Sequence, residues 1–382
     1  MSHLPRFIRI FVLTISLAIP LVLLFTACDS EGVLSDSSLS NVQADITVTG
    51  NDVGSDETTA TDTGNNDATI PITKEPAVKL KIVSTIFPQY DWVREILGDE
   101  AEYHELILLM DNRVDLHSFQ PSAADIVNIA SADLFIHVGG VSDEWVEDVL
   151  RQADNQEMII INLLDTLGDA ARMEANLEVA SDIANTSACS HGHQEEDCDE
   201  EHGLDEHVWL SLRNAAIFTT AITDALIALN PESGSEYLAN REIYTEKLTE
   251  LDLLYQEVVA EAAIKTVLFA DRFPFLYLME DYGIDFYAAF SGCSAEAEAS
   301  FSTIVFLAQK VDELGLHSIM ITESADQSIA RTVISSTETE NQAILVLNAL
   351  QSVTRREIEA GAAYLAIMEA NLAVLSAALG EK

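Results

Sequence analysis

The chain has 382 residues, 48% of them apolar, and carries 64 acidic against 19 basic side chains for a net charge of −45. At roughly 100–200 residues per domain this is apolar mass enough for two globular units, and it excludes a chain disordered throughout. So acidic a surface repels nucleic acid and anionic lipid headgroups, which leaves cations as the charged ligands it tolerates.

Residues 1–27 differ in kind from the rest. Arg6 and Arg9 precede an almost unbroken apolar run from Phe11 to Phe25, and Thr26-Ala27-Cys28 follows. The run is too short for an ordinary spanning helix and reads as a secretory signal. The small Ala27 before Cys28 resembles a lipobox, in which the cysteine is acylated and becomes the mature N-terminus; an uncleaved anchor helix is the alternative. Either way the bulk of the chain is expected outside the cytoplasm. Losing the signal removes two arginines and no acid, which leaves −47. Residues 28–77 are rich in Ser, Thr, Asn, Asp and Gly, with almost no large side chain to bury. They are predicted to form a flexible acidic tether.

Order is expected to begin near Lys79. Lys81 to Thr85 reads as a buried strand, and Pro88 suits the first turn of a helix that runs to Leu97 and stops at Gly98. Strands are predicted at Glu105–Met110, Leu134–Val138 and Met158–Ile161, with helices opening at Pro121 and spanning Asp143–Arg151. Such alternation predicts a parallel α/β sheet. Past a loop at 181–204 the pattern turns helical, with Asn214–Leu229 followed by one long amphipathic helix from about Ser235 to Ala263. Alternation then resumes: a strand at Thr266–Ala270, helices at Phe275–Tyr282 and Ser300–Leu314, a strand at His317–Thr322, a helix at Ser328–Ser335 and a strand at Ala343–Leu347. Thr354-Arg355-Arg356-Glu357 is a capping box, expected to start a final helix ending at Gly380. The predicted fold class is α/β, two parallel-sheet lobes joined by one long helix: an N-terminal lobe at 78–230 with a His-rich loop at 188–204, a linking helix at 231–263, and a C-terminal lobe at 264–382.

Three constellations carry chemistry. Asp115-Leu116-His117-Ser118-Phe119 and Asp205-Glu206-His207-Val208-Trp209 repeat one pattern, an Asp two before a His and an aromatic two after it. An imidazole suits a transition metal, and a neighbouring carboxylate, here Asp115 or Asp205, can fix its tautomer through the other ring nitrogen. His117 and His207 are therefore predicted metal ligands. The loop Cys189-Ser190-His191-Gly192-His193, running through six acids to His202, reads as a loose chelating tract. Its Cys189 and Cys198 are the closest pair for a disulfide in an oxidising compartment, and Cys293 is left over. In the second lobe, Asp271 and Glu323 each follow a predicted strand, where a parallel sheet presents its ligands. His104, His137 and His317 lie in or beside strands and read as structural. No His-Glu-x-x-His, Gly-x-Ser-x-Gly or Gly-rich phosphate loop is present, so enzyme chemistry has no motif to rest on.

Ser84-Thr85-Ile86-Phe87-Pro88, His117-Ser118-Phe119-Gln120-Pro121-Ser122 with Asp125, Ala132-Asp133-Leu134-Phe135 and His207-Val208-Trp209-Leu210-Ser211 together resemble the zinc and manganese solute-binding proteins of ABC transporters. Phe273 to Gly283, Gly292 to Ser300 and the long middle helix agree, so the resemblance spans about residues 79–380. It implies a non-enzymatic, membrane-anchored lipoprotein, expected to be a monomer, that holds a metal in the cleft between its lobes and delivers it to a membrane permease. His117 and His207 fall on the first two ligand positions. The third, usually His or Glu before the Phe275 helix, has Arg272 with Asp271 one residue out of register. The fourth, usually Asp, reads Asn348, and Glu323 is a substitute. The His-rich tract favours Zn2+, with Mn2+ the alternative. A surface adhesin with a structural metal and an extracytoplasmic metallohydrolase are the competing functions.

Overall fold

The computed structural model describes residues 78–174, 203–292 and 299–380. The expected signal at 1–27, the tether at 28–77, Cys28, Cys189, Cys198, Cys293, His191, His193 and His202 all lie outside the described residues.

The first lobe is a four-stranded parallel sheet in the order β2-β1-β3-β4, with β1 Lys81–Ser84, β2 Glu105–Leu108, β3 Leu134–His137 and β4 Ile159–Asn162. All of β3 is buried, as befits a central parallel strand covered on both faces. Helices α1 (Phe87–Leu97), α2 (Ala123–Ala130), α3 (Trp145–Leu150) and α4 (Leu163–Leu167) fill the crossovers. Pro88 does stand in the first turn of α1. The opening of α2 is set by Ser122 and Asp125, which cap each other's backbone N–H groups, two residues beyond Pro121.

The second lobe repeats the topology. Its sheet runs β6-β5-β7-β8, again parallel, with β5 Thr266–Phe273, β6 Asp285–Ser291, β7 Ser318–Thr322 and β8 Ala343–Leu347. Two expectations fail here. Strand β6 was not anticipated: Asp285-Phe286-Tyr287-Ala288-Ala289-Phe290-Ser291 lacks strict alternation because three successive residues, 288–290, are buried. Strand β5 runs three residues past its predicted end, with a register shift between Phe269 and Arg272, so Asp271 sits at an irregularity inside the strand rather than after it.

Helices α5 (Leu212–Leu229) and α6 (Gly234–Glu261) follow the first lobe, and α7 (Leu276–Tyr282), α8 (Phe301–Leu314) and α9 (Ser328–Ile334) belong to the second. Helix α5 is long and apolar enough to cross a membrane, yet half of it is buried against protein, which makes it a core helix. The single final helix is instead two, α10 (Arg355–Glu359) and α11 (Tyr364–Leu379). The Thr354 capping box starts the first, and Gly361 at φ 96° breaks the chain before the second.

Helix α6 joins the lobes as the sequence pattern predicts. It buries Tyr237, Tyr244, Leu248, Leu251, Tyr255 and Val259 along one face. Near its start the Tyr237 hydroxyl donates to Glu100 of the first lobe at 2.7 Å; further on, the Tyr255 hydroxyl donates to the Met368 carbonyl of α11 at 2.6 Å. One continuous apolar core runs from β1 and α1 through α6 into α7 and α11. At about 1.5–3 kcal/mol for each large side chain fully buried, this shared core resists separation of the lobes.

Candidate metal centre between the lobes

The two matched motifs do the same backbone job. Asp115 Oδ1 accepts the His117 N–H at 2.9 Å, and Asp205 Oδ1 accepts the His207 N–H at 2.8 Å. Each Asp thereby tightens a short turn that carries its histidine. The turns bring the imidazoles face to edge, with Nε2 of His117 3.3 Å from Nε2 of His207.

The other ring nitrogens are already committed. Nδ1 of His207 lies 3.1 Å from Asp205 Oδ1, so it carries the proton and donates. Nδ1 of His117 lies 2.7 Å from Ser142 Oγ, and that hydroxyl donates in a very short bond to Glu206 Oε2. With its proton spent on Glu206, Ser142 accepts from His117. These partners assign both Nε2 atoms as acceptors, two lone pairs facing one another. Burial pushes the Glu206 carboxyl up, but hydrogen bonds from His117 and from the Ser142 hydroxyl and N–H outweigh it and hold the group below its ordinary range.

The fold crowds around this pair. A Cβ on Gly140, at φ +79°, would meet Glu206 Oε1 at 2.3 Å, and one on Gly292 would meet His207 Cε1 at 2.9 Å. Only glycine admits either approach. His207 is fully buried, and Trp209 packs against its ring with centroids 5.3 Å apart. The second lobe holds the His207 loop in place. The Trp209 indole N–H donates to Ala349 O at 2.9 Å, the Tyr277 hydroxyl to Asp205 O at 3.1 Å, and Ser211 Oγ to Asp281 at 2.5 Å.

The loop before His117 is clasped to the second lobe by charge. Asp111 pairs with Arg355 at 2.7 Å, Arg113 reaches Glu357 at 4.0 Å, and Asp115 Oδ2 meets Arg272 Nη1 at 3.2 Å. Between the lobes lies a cavity of about 190 Å³ lined by Arg113, Asp115, Arg272, Gly292, Glu323 and Ser352 among others. A larger one, about 1010 Å³, opens beside His137 and Asp143 at the carboxyl ends of β3 and β4. There His137 Nδ1 lies 3.2 Å from Asp143, in keeping with a structural histidine.

The predicted second-lobe residues are placed differently from one another. Glu323 lines the cavity, its oxygens accepting from Ala349 N–H at 2.8 Å and Ser352 Oγ at 3.0 Å. Asp271 turns to the Thr322 backbone at 3.1 Å and is not among the cavity-lining residues. Asn348 makes a turn with Leu350 N–H at 2.7 Å and bonds Asn371 through its backbone. Among the described residues no three His, Cys, Asp or Glu side chains are gathered closely enough to hold an ion. Ser142 and Glu206 were missed. Ser142 follows Gly139-Gly140 just beyond β3, where a parallel sheet presents ligands, and Glu206 lies between two residues already singled out.

Two parallel-sheet lobes, a rigid connecting helix and a pair of imidazole acceptors at the cleft define a two-lobed binding protein. The model of the family described as zinc-uptake complex component A, periplasmic, matches residues 82–378, and the chain belongs to that family. It is 30% identical over 302 residues to the zinc-binding lipoprotein AdcA of Streptococcus pneumoniae R6, covering 79% of this chain and 56% of that protein. To the high-affinity zinc uptake system protein ZnuA of Bacillus subtilis it is 28% identical over 301 residues, covering 79% and 88%. The chain spans about half the length of the AdcA relatives it matches. The crystal structure of the Zn(II)-bound ZnuA-like domain of S. pneumoniae AdcA superposes with a TM-score of 0.60 at 29% identity, over 79% of this chain and 99% of that one.

Proposed function

We propose that this chain is an extracytoplasmic solute-binding lipoprotein that captures a zinc ion between its lobes and delivers it to the membrane permease of an ABC importer. One observation carries the reading. Two nitrogens each about 2.0–2.1 Å from a tetrahedral zinc stand about 3.3 Å apart. The His117 and His207 Nε2 atoms have that separation, and the partners of the two Nδ1 atoms assign both as acceptors. Facing lone pairs repel, and a cation turns that repulsion into coordination.

Glu323 supplies a third ligand from the second lobe. A divalent ion held by neutral imidazoles alone keeps its full charge, which is costly in a half-buried cleft. Asp205, with Ser142 and Glu206, orients the two rings. The tract at 188–204, with His191, His193 and His202, collects ions loosely, and deleting it should leave one tight site. Lipid on Cys28 holds the protein, a monomer, at the membrane. Zinc titration with a competing chelator tests the site: His117→Ala and His207→Ala should each weaken binding by well over the roughly 10–100-fold loss typical of an outer partner. Both variants binding zinc like the parent would place the site elsewhere.

A further inference from the structure

The turn that brings Ser142 to the His117 ring has little to hold it from its own sequence. It begins with Gly139 and Gly140, at φ 89° and 79°, and Val141 beyond them is 70% exposed. Glycine loses more backbone freedom on ordering than any other residue, and an exposed side chain adds no packing to offset that loss. Ser142 nevertheless has an exacting task. Its Oγ accepts from His117 Nδ1 at 2.7 Å while its N–H donates to Glu206 at 2.8 Å. Such a support works only when held within about 0.5 Å of one place.

Asp143 closes the turn. Its Oδ2 accepts the Val138 and Gly139 N–H groups, each at 2.8 Å, and lies 3.2 Å from His137 Nδ1. A carboxylate only accepts, so that ring nitrogen carries the proton and is the third donor. The Asp143 Oδ1 has no partner among the described residues, so the bonds this carboxylate makes there are confined to the turn and to His137. Both side chains are buried, and the His137 ring is itself held flat against Phe135, with centroids 5.4 Å apart and planes at 10°. A buried carboxylate with three donors is a strong clasp. It ties the end of β3 to the residue that directly follows Ser142.

We propose that His137 and Asp143 are positioning residues of the metal site: the pair fixes the 138–143 turn, the turn fixes Ser142, and Ser142 holds the His117 ring with its Nε2 lone pair toward His207. This rests on the reading that His117 and His207 bind the metal. The pair lines the cavity of about 1010 Å³ rather than the one between the lobes, so it can be altered with His117, Ser142 and Glu206 chemically intact.

Two quantities test the pair, on the full chain and on Asp143→Ala, His137→Ala and His137→Asn. One is zinc affinity by chelator competition. The other is the tautomer of the His117 ring in the zinc-free protein, read by nitrogen NMR of histidine-labelled samples and assigned by the signal lost in His117→Ala. The parent should show His117 protonated on Nδ1 alone. Asp143→Ala should weaken zinc at least about 10-fold, the low end for an outer partner, and mix the two tautomers. His137→Ala should do both to a lesser degree. His137→Asn, whose amide N–H stands where Nδ1 stood, should recover most of the loss. In a Ser142→Ala background the cost of Asp143→Ala should shrink to about 3-fold or less, as it does for coupled residues.

Weaker zinc binding with the His117 tautomer unchanged would mean that Asp143 serves stability alone, and the proposal falls. An undiminished Asp143→Ala effect in the Ser142→Ala background overturns it too, as do Ala variants that match the parent in both readouts. Should urea unfolding show that Asp143→Ala does not fold, the two His137 variants decide on the same readouts. A parent that binds no zinc would sink the His-pair reading instead, and the tautomer of the zinc-free protein would still judge the positioning role.

Discussion

Glu206→Ala is the sharpest probe of how the site is built. The carboxylate is buried and accepts three donors or near-donors: the Ser142 N–H at 2.8 Å, the Ser142 hydroxyl, and at 3.4 Å the His117 Nδ1. Truncation leaves the Ser142 N–H and hydroxyl without their acceptor. A buried donor left so costs about 1–3 kcal/mol, which sets the expected loss of folding stability. His117 also loses the chain that fixes its tautomer, so its Nε2 no longer presents a lone pair at all times. Removing such an outer partner costs a metal site roughly 10–100-fold in affinity, or about 1.4–2.7 kcal/mol. Chelator competition measures the affinity and urea unfolding of the zinc-free protein measures the stability. Glu206→Gln, which keeps the shape and one acceptor, should recover much of the stability and less of the affinity. The relay from His117 through Ser142 to Glu206 has no role if Glu206→Ala binds zinc within about 3-fold of the parent while showing the predicted stability loss.

Three further outcomes follow from the geometry. Glu323→Gln should weaken zinc binding by at least about 10-fold, whereas Asp271→Asn, turned toward Thr322, should cost little affinity; the reverse order in chelator competition would assign the ligand to Asp271. Zinc should change the radius of gyration by less than about 1 Å, on about 19 Å for some 300 ordered residues, because the lobes share one core; X-ray scattering showing a larger contraction would mean that α6 bends. Asp91, on α1, is pushed up by burial to about 6, partly offset by Arg94 and the Tyr364 N–H. Its folded form thus holds a proton that the unfolded chain releases above about pH 4, so its contribution to stability falls as pH rises from about 4 to 6, by about 3 kcal/mol in all. Asp91→Asn should flatten that window in urea unfolding, and an unchanged pH profile would refute the assignment.

Where one residue type forces one conformation, the sequence was readable. Pro88, Gly98, the Thr354 capping box and the buried run at 134–137 each placed an element within a residue or two. Strand β6 was missed because both faces of its second half are buried, which erases the period-two signal. The final helix was misjudged because Gly361 amid helix formers does not by itself announce a break. At the site, the repeated Asp-x-His located both imidazoles, since each Asp shapes a turn only two residues long. The outer partners were legible for His207 alone. Asp205 reaches across its own turn to the His207 ring, but the His117 ring is served by Ser142 and by Glu206, 25 and 89 residues away. Asp115, the local candidate, is drawn instead to Arg272 on the other lobe. No local pattern encodes a contact made by a distant loop.

Charge acts in this molecule on two scales that ask different things of the sequence. The excess of 64 acids over 19 basic residues surrounds the protein with a negative field that concentrates any cation near it. That field cannot choose among ions, because within a Debye length of about 8 Å at physiological salt it acts on charge alone. The cleft is the opposite. Its lining sets Arg113 and Arg272 against Asp115 and Glu323, so it offers little net attraction to a cation. Apart from that lining stand two imidazole nitrogens 3.3 Å from one another, on rings held from behind by Asp205 and Ser142. In the proposed site any choice among ions would therefore rest on those nitrogen donors at a zinc-sized spacing rather than on net charge.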